Sequence, residues 1–386
     1  MVFNSGTTVY TVAEYDASNS RVVIAYSDYG NSDQGTAIVG AVDPTDNSIE
    51  FGAESLFNAA TTHDIGLAYD SANGKIIVAY DNAGQYGNGQ AKVGTVDTSD
   101  NSITFGSVAT FNGGTNDTDY IDAIYDSTNS KVVITYRDKS NSAKGTAIVG
   151  TVNSDDTISF SGAANAFGGL ETIDGTYYGA PYILKTTYDS TNSKVVVYYN
   201  KIIKVGTVNA SNNTIAFGSG VVNTAPSDDA GRGDITYDSD AQKVIISYRD
   251  YGNSNYGTII TGSVSGTSIT LDSPIVFETA ETNDASIVYD SSNSKTVVAY
   301  RDTGNSNYGT YVVFSPRTIS RNLTAENFIG ISNGAYSDGQ TATIQIAGAV
   351  DDAQSGLTPG QQYYVCLLYT SPSPRDQRGS RMPSSA

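Results

Sequence analysis

Five residues ahead of a recurring tyrosine the chain places Tyr10, Asp64, Tyr120, Ile183, Arg232 and Asp284. The segments around this position are near-copies of one another, but the position itself is not. Copies that share a scaffold duty keep their shared residues, and a position free of that duty is open to specialisation; drift at a tolerant position is the ordinary alternative. Tyrosine faces with aspartate and arginine nearby suit a sugar, offering a ring to stack on and polar groups for hydroxyls. A second set, Asp174, Tyr177 and Tyr178, lies in the long stretch Gly168–Pro181. The candidate ligand-binding residues are therefore Tyr120, Asp174, Tyr177, Tyr178, Arg232 and Asp284.

Other chemistry is poorly supplied. Glycoside hydrolysis needs two carboxylates about 5–10 Å apart. With 40 Asp and Glu such pairs arise by chance, and nothing marks Glu171 or Asp174, which share the long stretch. One His (His63) and one Cys exclude most imidazole and thiolate chemistry and any intrachain disulfide. No nucleophile elbow, P-loop or His/Cys metal cluster occurs, so no catalytic residue is assigned. The loop Asp28-Tyr29-Gly30-Asn31-Ser32 recurs at Asp250 and Asp302, and more loosely at Asp138. Its alternating oxygen ligands suit Ca²⁺, but the closing bidentate glutamate of a calcium loop is missing. A glycine/asparagine hairpin loop is the ordinary reading, and no cofactor is assigned beyond a Ca²⁺ candidate. Arg137-Asp138, Arg249-Asp250 and Arg301-Asp302 are expected to form structural pairs between neighbouring repeats.

The elements that must position these residues follow from the repeat, seen most cleanly as YDSSNSKTVVAYRDTGNSNYGT from Tyr289. Copies start at Tyr15, Tyr69, Tyr125, Tyr188 and Tyr237. A period near 50 residues marks a repeat architecture. One period carries four strand signals, Asp64–Tyr69, Lys75–Tyr80, Gln90–Val96 and Ser102–Phe111, joined by polar turns. Short strands joined by such turns make an antiparallel meander. The second strands, such as Lys131–Tyr136 and Lys194–Tyr199, are almost continuously apolar. Absence of alternation means burial on both faces, as in the middle of a propeller blade. The expected fold is all-β, a propeller of four-stranded antiparallel blades with six visible and six or seven in the intact protein. Met1–Tyr10 reads as the tail of an outer strand, so the chain is expected to begin inside a blade.

Three regions follow: a propeller over 1–321, a small truncated β module over 322–365 with a different rhythm, and a tail over 366–386. The tail holds the lone Cys and three of nine Pro. It resembles translated sequencing-adapter sequence and is expected to take no part in the fold. The net charge of −19 argues against nucleic acid, whose phosphates need Lys and Arg. No apolar run approaches the ~20 residues of a membrane-spanning helix, and Met1–Asn4 lacks a signal-peptide start.

The fourth repeat lacks the Asp-x-Gly-Asn-Ser loop after its second strand, and Gly168–Pro181 precedes it. In a propeller both lie on one face, so the long stretch either fills the gap or frames a groove with it.

The repeat, followed by NLTAENFIGIS, YSDGQTATIQI and GLTPGQQYYV, resembles repeat proteins of marine bacteriophages, the tail-fibre or structural proteins. The resemblance spans residues 1–365 and implies a virion-borne or cell-surface module that recognises glycan or other virion proteins, without supplying catalytic residues. The expected function is non-enzymatic recognition, with a polysaccharide-degrading glycoside hydrolase or a secreted bacterial adhesin as alternatives. The expected ligand face carries the second-to-third-strand loops and the loops between repeats.

Overall fold

The computed structural model describes residues 2–113, 118–169, 171–173, 176–223 and 233–316, with the short stretches 331–332 and 344–345. The chain divides into two compact units, Met1–Ser315 and Pro316–Ala386. In the second, the described residues are one short antiparallel pair, Ile331–Ser332 with Ile344–Gln345. The tail over 366–386 lies outside the described residues.

The first unit is all-β and antiparallel; the third and fourth repeats form five-stranded sheets of their own, while the first two repeats share a nine-stranded sheet through the long strand Ser55–Asp70 and the last two a seven-stranded sheet through Ile275–Asp290. In the third repeat the inner strand Thr118–Asp126 pairs with Lys131–Asp138, which pairs with Lys144–Val152. A fourth strand comes in two pieces, Ile158–Ser159 and Asn165–Gly168, both against the third. The single strand expected over Ser102–Phe111 is likewise two, Ser102–Phe105 and Ala109–Asn112. The break has a steric cause. At Gly106 an added Cβ would lie 2.0 Å from the Asp156 carbonyl oxygen, part of the next repeat's polar turn. Gly52, Gly162 and Gly218 meet the corresponding carbonyls of Asn101, Asn213 and Thr267 at 2.1, 1.9 and 2.1 Å. The neighbouring turn leaves space for glycine alone, and the strand parts around that contact.

The turns between first and second strands are fixed by their own side chains. In the third repeat Asp126 is buried and accepts from the Asn129 amide and from Asn129 Nδ2 (3.0 and 2.7 Å). Asp16, Asp70 and Asp189 do the same with Asn19, Asn73 and Asn192. Such Asx turns satisfy backbone donors that the sheet leaves unpaired.

Hydrophobic cores lie between successive sheets. Val23, Ala25, Ile76, Val78 and Tyr80 pack the first repeat on the second, and Ile77, Ala79, Val132, Ile134 and Tyr136 the second on the third. The second strands are therefore buried on both faces in the interior repeats, as their continuous apolar pattern requires. The sixth repeat differs: Thr296, Val298, Tyr300 and Asp302 are buried while Lys295, Ala299 and Arg301 are exposed. Of the repeat tyrosines, Tyr237 is buried, Tyr69, Tyr125, Tyr188 and Tyr289 are half-buried, and Tyr15 is 52% exposed.

Candidate functional site

The position five residues before the repeat tyrosine is marked by its backbone. Tyr10, Asp64, Tyr120 and Asp284 have φ of 53°, 43°, 50° and 53°. Each sits where the inner strand loses register with the second strand. In the third repeat Asp119 faces Arg137 and Asp122 faces Thr135, so Tyr120 and Ile121 share one partner position. The same two-against-one count occurs around Tyr10 and Asp284, and a register shift occurs at Asp64. These are β-bulges whose first residue is left-handed, a place where glycine is usual. Tyrosine there costs on the order of 1 kcal/mol or more in backbone strain. What the bulge gives in return is a side chain re-aimed out of the strand.

Three of these residues converge. Tyr10, Asp64 and Tyr120 line a depression of about 260 Å³ with Tyr182, Ile183 and Lys185. The site thus gathers the variable position from the first four repeats. Asp284 belongs to the sixth repeat and does not line it; its carboxylate is 62% exposed and lies 3.2 Å from Arg301 Nη2. Asp174 and Arg232 lie outside the described residues. Tyr177 and Tyr178 lie on a short strand, Thr176–Tyr178, paired with Glu171–Ile173.

The end of the long stretch lies over the shortened turn of the fourth repeat. The fourth repeat closes its second and third strands with a tight turn at Asn200 and Lys201, both left-handed (φ 44° and 75°). Asn200 Nδ2 donates to the Gly179 and Ala180 carbonyls (3.2 and 2.9 Å), and Asn200 Oδ1 accepts from the Tyr182 amide (3.0 Å). The end of the stretch is therefore pinned over the shortened turn.

A polar network props Tyr120. The Arg137 guanidinium lies over its ring at 4.5 Å, a cation–π contact. Arg137 Nε donates to Asp119 Oδ1 (2.6 Å), Nη2 pairs with Asp119 Oδ2, and Nη1 donates to the Pro181 carbonyl (2.8 Å). Lys139 Nζ reaches Asp119 Oδ2 at 3.1 Å. The Tyr10 ring stands 5.4 Å from the His63 ring. The Arg-Asp dipeptides thus behave in two ways. Arg249 does pair with the next repeat, at Glu281 Oε1 (3.0 Å) and Asn283 Oδ1. Arg137 and Arg301 instead pair with carboxylates of their own inner strands.

Burial, aided by the nearby Asp119 charge, pushes the Asp64 carboxyl up to about 6. Beyond the depression, carboxylates link the inner strands of neighbouring repeats. Asp122 accepts from the Thr186 amide of the next repeat (2.6 Å) and from the Ala123 amide (3.0 Å). Asp234 repeats this with the Ile287 and Ile235 amides (3.1 and 2.9 Å). These carboxylates clamp one inner strand to the next. Burial raises Asp122 to about 6. Lys185 stands among them; the charges of Asp234 and then Asp122 raise its pKa against the opposing effect of burial.

The opposite end holds a larger recess of about 460 Å³, lined by Glu14 and by repeat tyrosines including Tyr69, Tyr125, Tyr188, Tyr237 and Tyr289. Burial pushes Glu14 up to about 7. Sequence reasoning passed this end over because its turns are uniform, though the recurring tyrosine itself was a signal. The candidate Ca²⁺ loops form short 3₁₀ turns in which Asp28, Asp138, Asp250 and Asp302 each cap a following backbone amide. Among the described residues no group of three or more His, Cys, Asp or Glu is placed to hold a metal ion.

Comparison with solved structures reveals a β-propeller-like fold. A putative 6-phosphogluconolactonase from Bacteroides uniformis aligns with TM-score 0.53 at 11% identity, over 85% of this chain and 83% of that one. A leech intramolecular trans-sialidase aligns with TM-score 0.50 at 9% identity, over 81% and 68%. A functionally unknown protein from Desulfotomaculum acetoxidans aligns with TM-score 0.52 at 12% identity, over 82% and 92%. At these identities the likeness concerns fold alone. No protein-family model matches the chain, and no curated protein matches it.

Proposed function

We propose that this chain is a non-enzymatic glycan-recognition propeller, with the sugar seated at the channel mouth against Tyr10, Tyr120 and Asp64. The observation that carries this is the strained bulge. Four repeats hold a non-glycine residue in the left-handed region at one position, and three of them turn into one depression. A scaffold free to choose would place glycine there; keeping Tyr and Asp points to a use for their side chains. Tyrosine rings offer stacking surfaces, and Asp64 with Lys185 offers an acceptor and a donor for hydroxyls. The resemblance to phage repeat proteins supports placing the module on a tail fibre, where surface glycan is the target. A glycan-array screen, with reducing-end release measured on each hit, tests this: the expected result is binding without cleavage.

A second reading, a glycoside hydrolase, draws on the trans-sialidase among the similar solved structures and on Asp64, a carboxyl in the depression that burial raises to about 6, towards the range of a general acid. Sugar release that Asp64→Asn abolishes would establish it in place of the first.

A further inference from the structure

The recess at the end opposite the depression is lined from all six repeats. The residue just before each repeat tyrosine lines it: Glu14, Ala68, Ile124, Thr187, Thr236 and Val288. Five of these are uncharged, and Glu14 is the one charged side chain among the described lining residues. Around it stand Tyr69, Tyr125, Tyr188, Tyr237 and Tyr289. Their hydroxyls turn to the preceding repeats. The Tyr69 hydroxyl accepts from the Ser18 amide (2.9 Å), and the Tyr188 hydroxyl donates to Thr128 Oγ1 (2.6 Å). Tyr125, Tyr237 and Tyr289 lie beside Asp70, Asp189 and Asp240 at the same place. With their polar tips directed to those turns, the tyrosines give the recess ring surface.

Glu14 is an unfavourable residue for this position. It is half-buried, and its Oε1 accepts from the Tyr15 amide (3.1 Å). The side-chain charge acting on it is that of Asp122, of its own sign, and burial pushes its carboxyl up to about 7. A carboxylate drawn out of water without a counter-charge is destabilising, and the other repeats place Ala, Ile, Thr or Val here. A cation brought by a ligand would supply what the recess lacks. A hard metal ion asks for about six or more oxygen ligands, and no metal-holding group occurs among the described residues. An organic ammonium asks for less: one carboxylate, and aromatic faces whose quadrupole attracts positive charge. The recess volume of about 460 Å³ falls within the range of small-molecule sites, about 300–1,000 Å³. The net charge of −19 also favours the approach of cations.

We infer that this recess binds a small organic cation, its ammonium group held by the Glu14 carboxylate and its alkyl groups packed against the repeat-tyrosine rings. The site lies apart from the glycan depression and does not rest on that reading.

The test is calorimetric titration of choline into the full chain in about 0.15 M NaCl, which screens the diffuse pull of the net charge. The comparison ligand is 3,3-dimethyl-1-butanol, the uncharged isostere of choline. At pH 8 choline should bind at least about tenfold tighter than the alcohol, and Glu14→Gln should erase that difference. Glutamine keeps the shape and the acceptor for the Tyr15 amide, so the Tm of Glu14→Gln at pH 8 should be no lower than the parent's. Choline affinity should rise about tenfold from pH 6 to pH 8, as a carboxyl with a pKa of about 7 goes from about one-tenth to about nine-tenths ionised. Of the groups facing Glu14, Asp122, raised to about 6, ionises over the same range and acts in the same direction. Lys185 beyond it stays charged, and Tyr125 and Tyr237, held up at about 12, stay neutral. Absence of choline binding at pH 8, equal affinity for choline and the alcohol, or choline binding untouched by Glu14→Gln overturns the proposal. Choline binding that Asp64→Asn abolishes and Glu14→Gln spares would place the cation in the depression, and overturns it as well.

Discussion

Replacing Asp64 by Asn separates the stability of the mouth from its use. Asparagine tolerates the left-handed backbone as well as aspartate does and keeps an acceptor, so the charge is the main thing removed. Burial lifts the Asp64 pKa from 3.8 to about 6. A carboxylate with a raised folded-state pKa costs nothing below its unfolded value; its cost appears as pH climbs and is complete once pH exceeds the folded value. The gross cost at pH 8 is about 3 kcal/mol. This half-buried group lines the open depression, so roughly half, about 1.5 kcal/mol, is the expected net effect. Asp64→Asn should therefore raise Tm by about 3 °C at pH 8 and leave it unchanged near pH 4. Differential scanning calorimetry at pH 4, 6 and 8 reads this directly. The same substitution should weaken glycan binding at pH 8, an opposite sign that marks a residue kept for function. A stabilisation that does not vary with pH, or a loss of stability at pH 8, refutes the electrostatic account of Asp64.

Gly89→Ala should destabilise by about 1–3 kcal/mol, because its Cβ would lie 2.3 Å from the Phe111 ring. Gly309→Ala, whose Cβ meets nothing within 4 Å among the described residues, should be neutral in the same denaturation assay. Removing residues 366–386 should leave Tm unchanged within error, since that composition cannot bury a core; a fall of several degrees would show the segment belongs to the fold. Asp122→Asn should weaken the clamp to the Thr186 amide and lower Tm at pH 5. Its effect should shrink by pH 8, where burial makes the native carboxylate costly.

The strands were legible because their signals are local. Asp-Ser-x-Asn turns and apolar second strands recur at fixed offsets, and the position of Tyr10, Asp64 and Tyr120 stood out as the one that varies. Its left-handed backbone did not, because the usual marker of that conformation is glycine and these residues carry none. The split fourth strands were written in Gly52, Gly106, Gly162 and Gly218, but the reason lies in the neighbouring repeat's carbonyl, which sequence order does not reveal. The exposed face of the sixth repeat was hidden for a related reason. Thr296-Val297-Val298-Ala299 reads like the other second strands, and burial depends on what stands beside the strand. Asn200 and Lys201 were visible as a missing loop, whereas the pinning of Gly179–Tyr182 by the Asn200 side chain needed coordinates.

Titration of the best array glycan into the protein and two variants tests the central claim most directly. Tyr120→Ala removes a stacking ring at the depression, and Ser71→Ala alters only the recess at the opposite end. Loss of one ring should cost about 1 kcal/mol, so Tyr120→Ala should raise Kd roughly fivefold while Ser71→Ala leaves it unchanged. Unchanged affinity in Tyr120→Ala, with a loss in Ser71→Ala, would place the ligand at the other end and contradict the account.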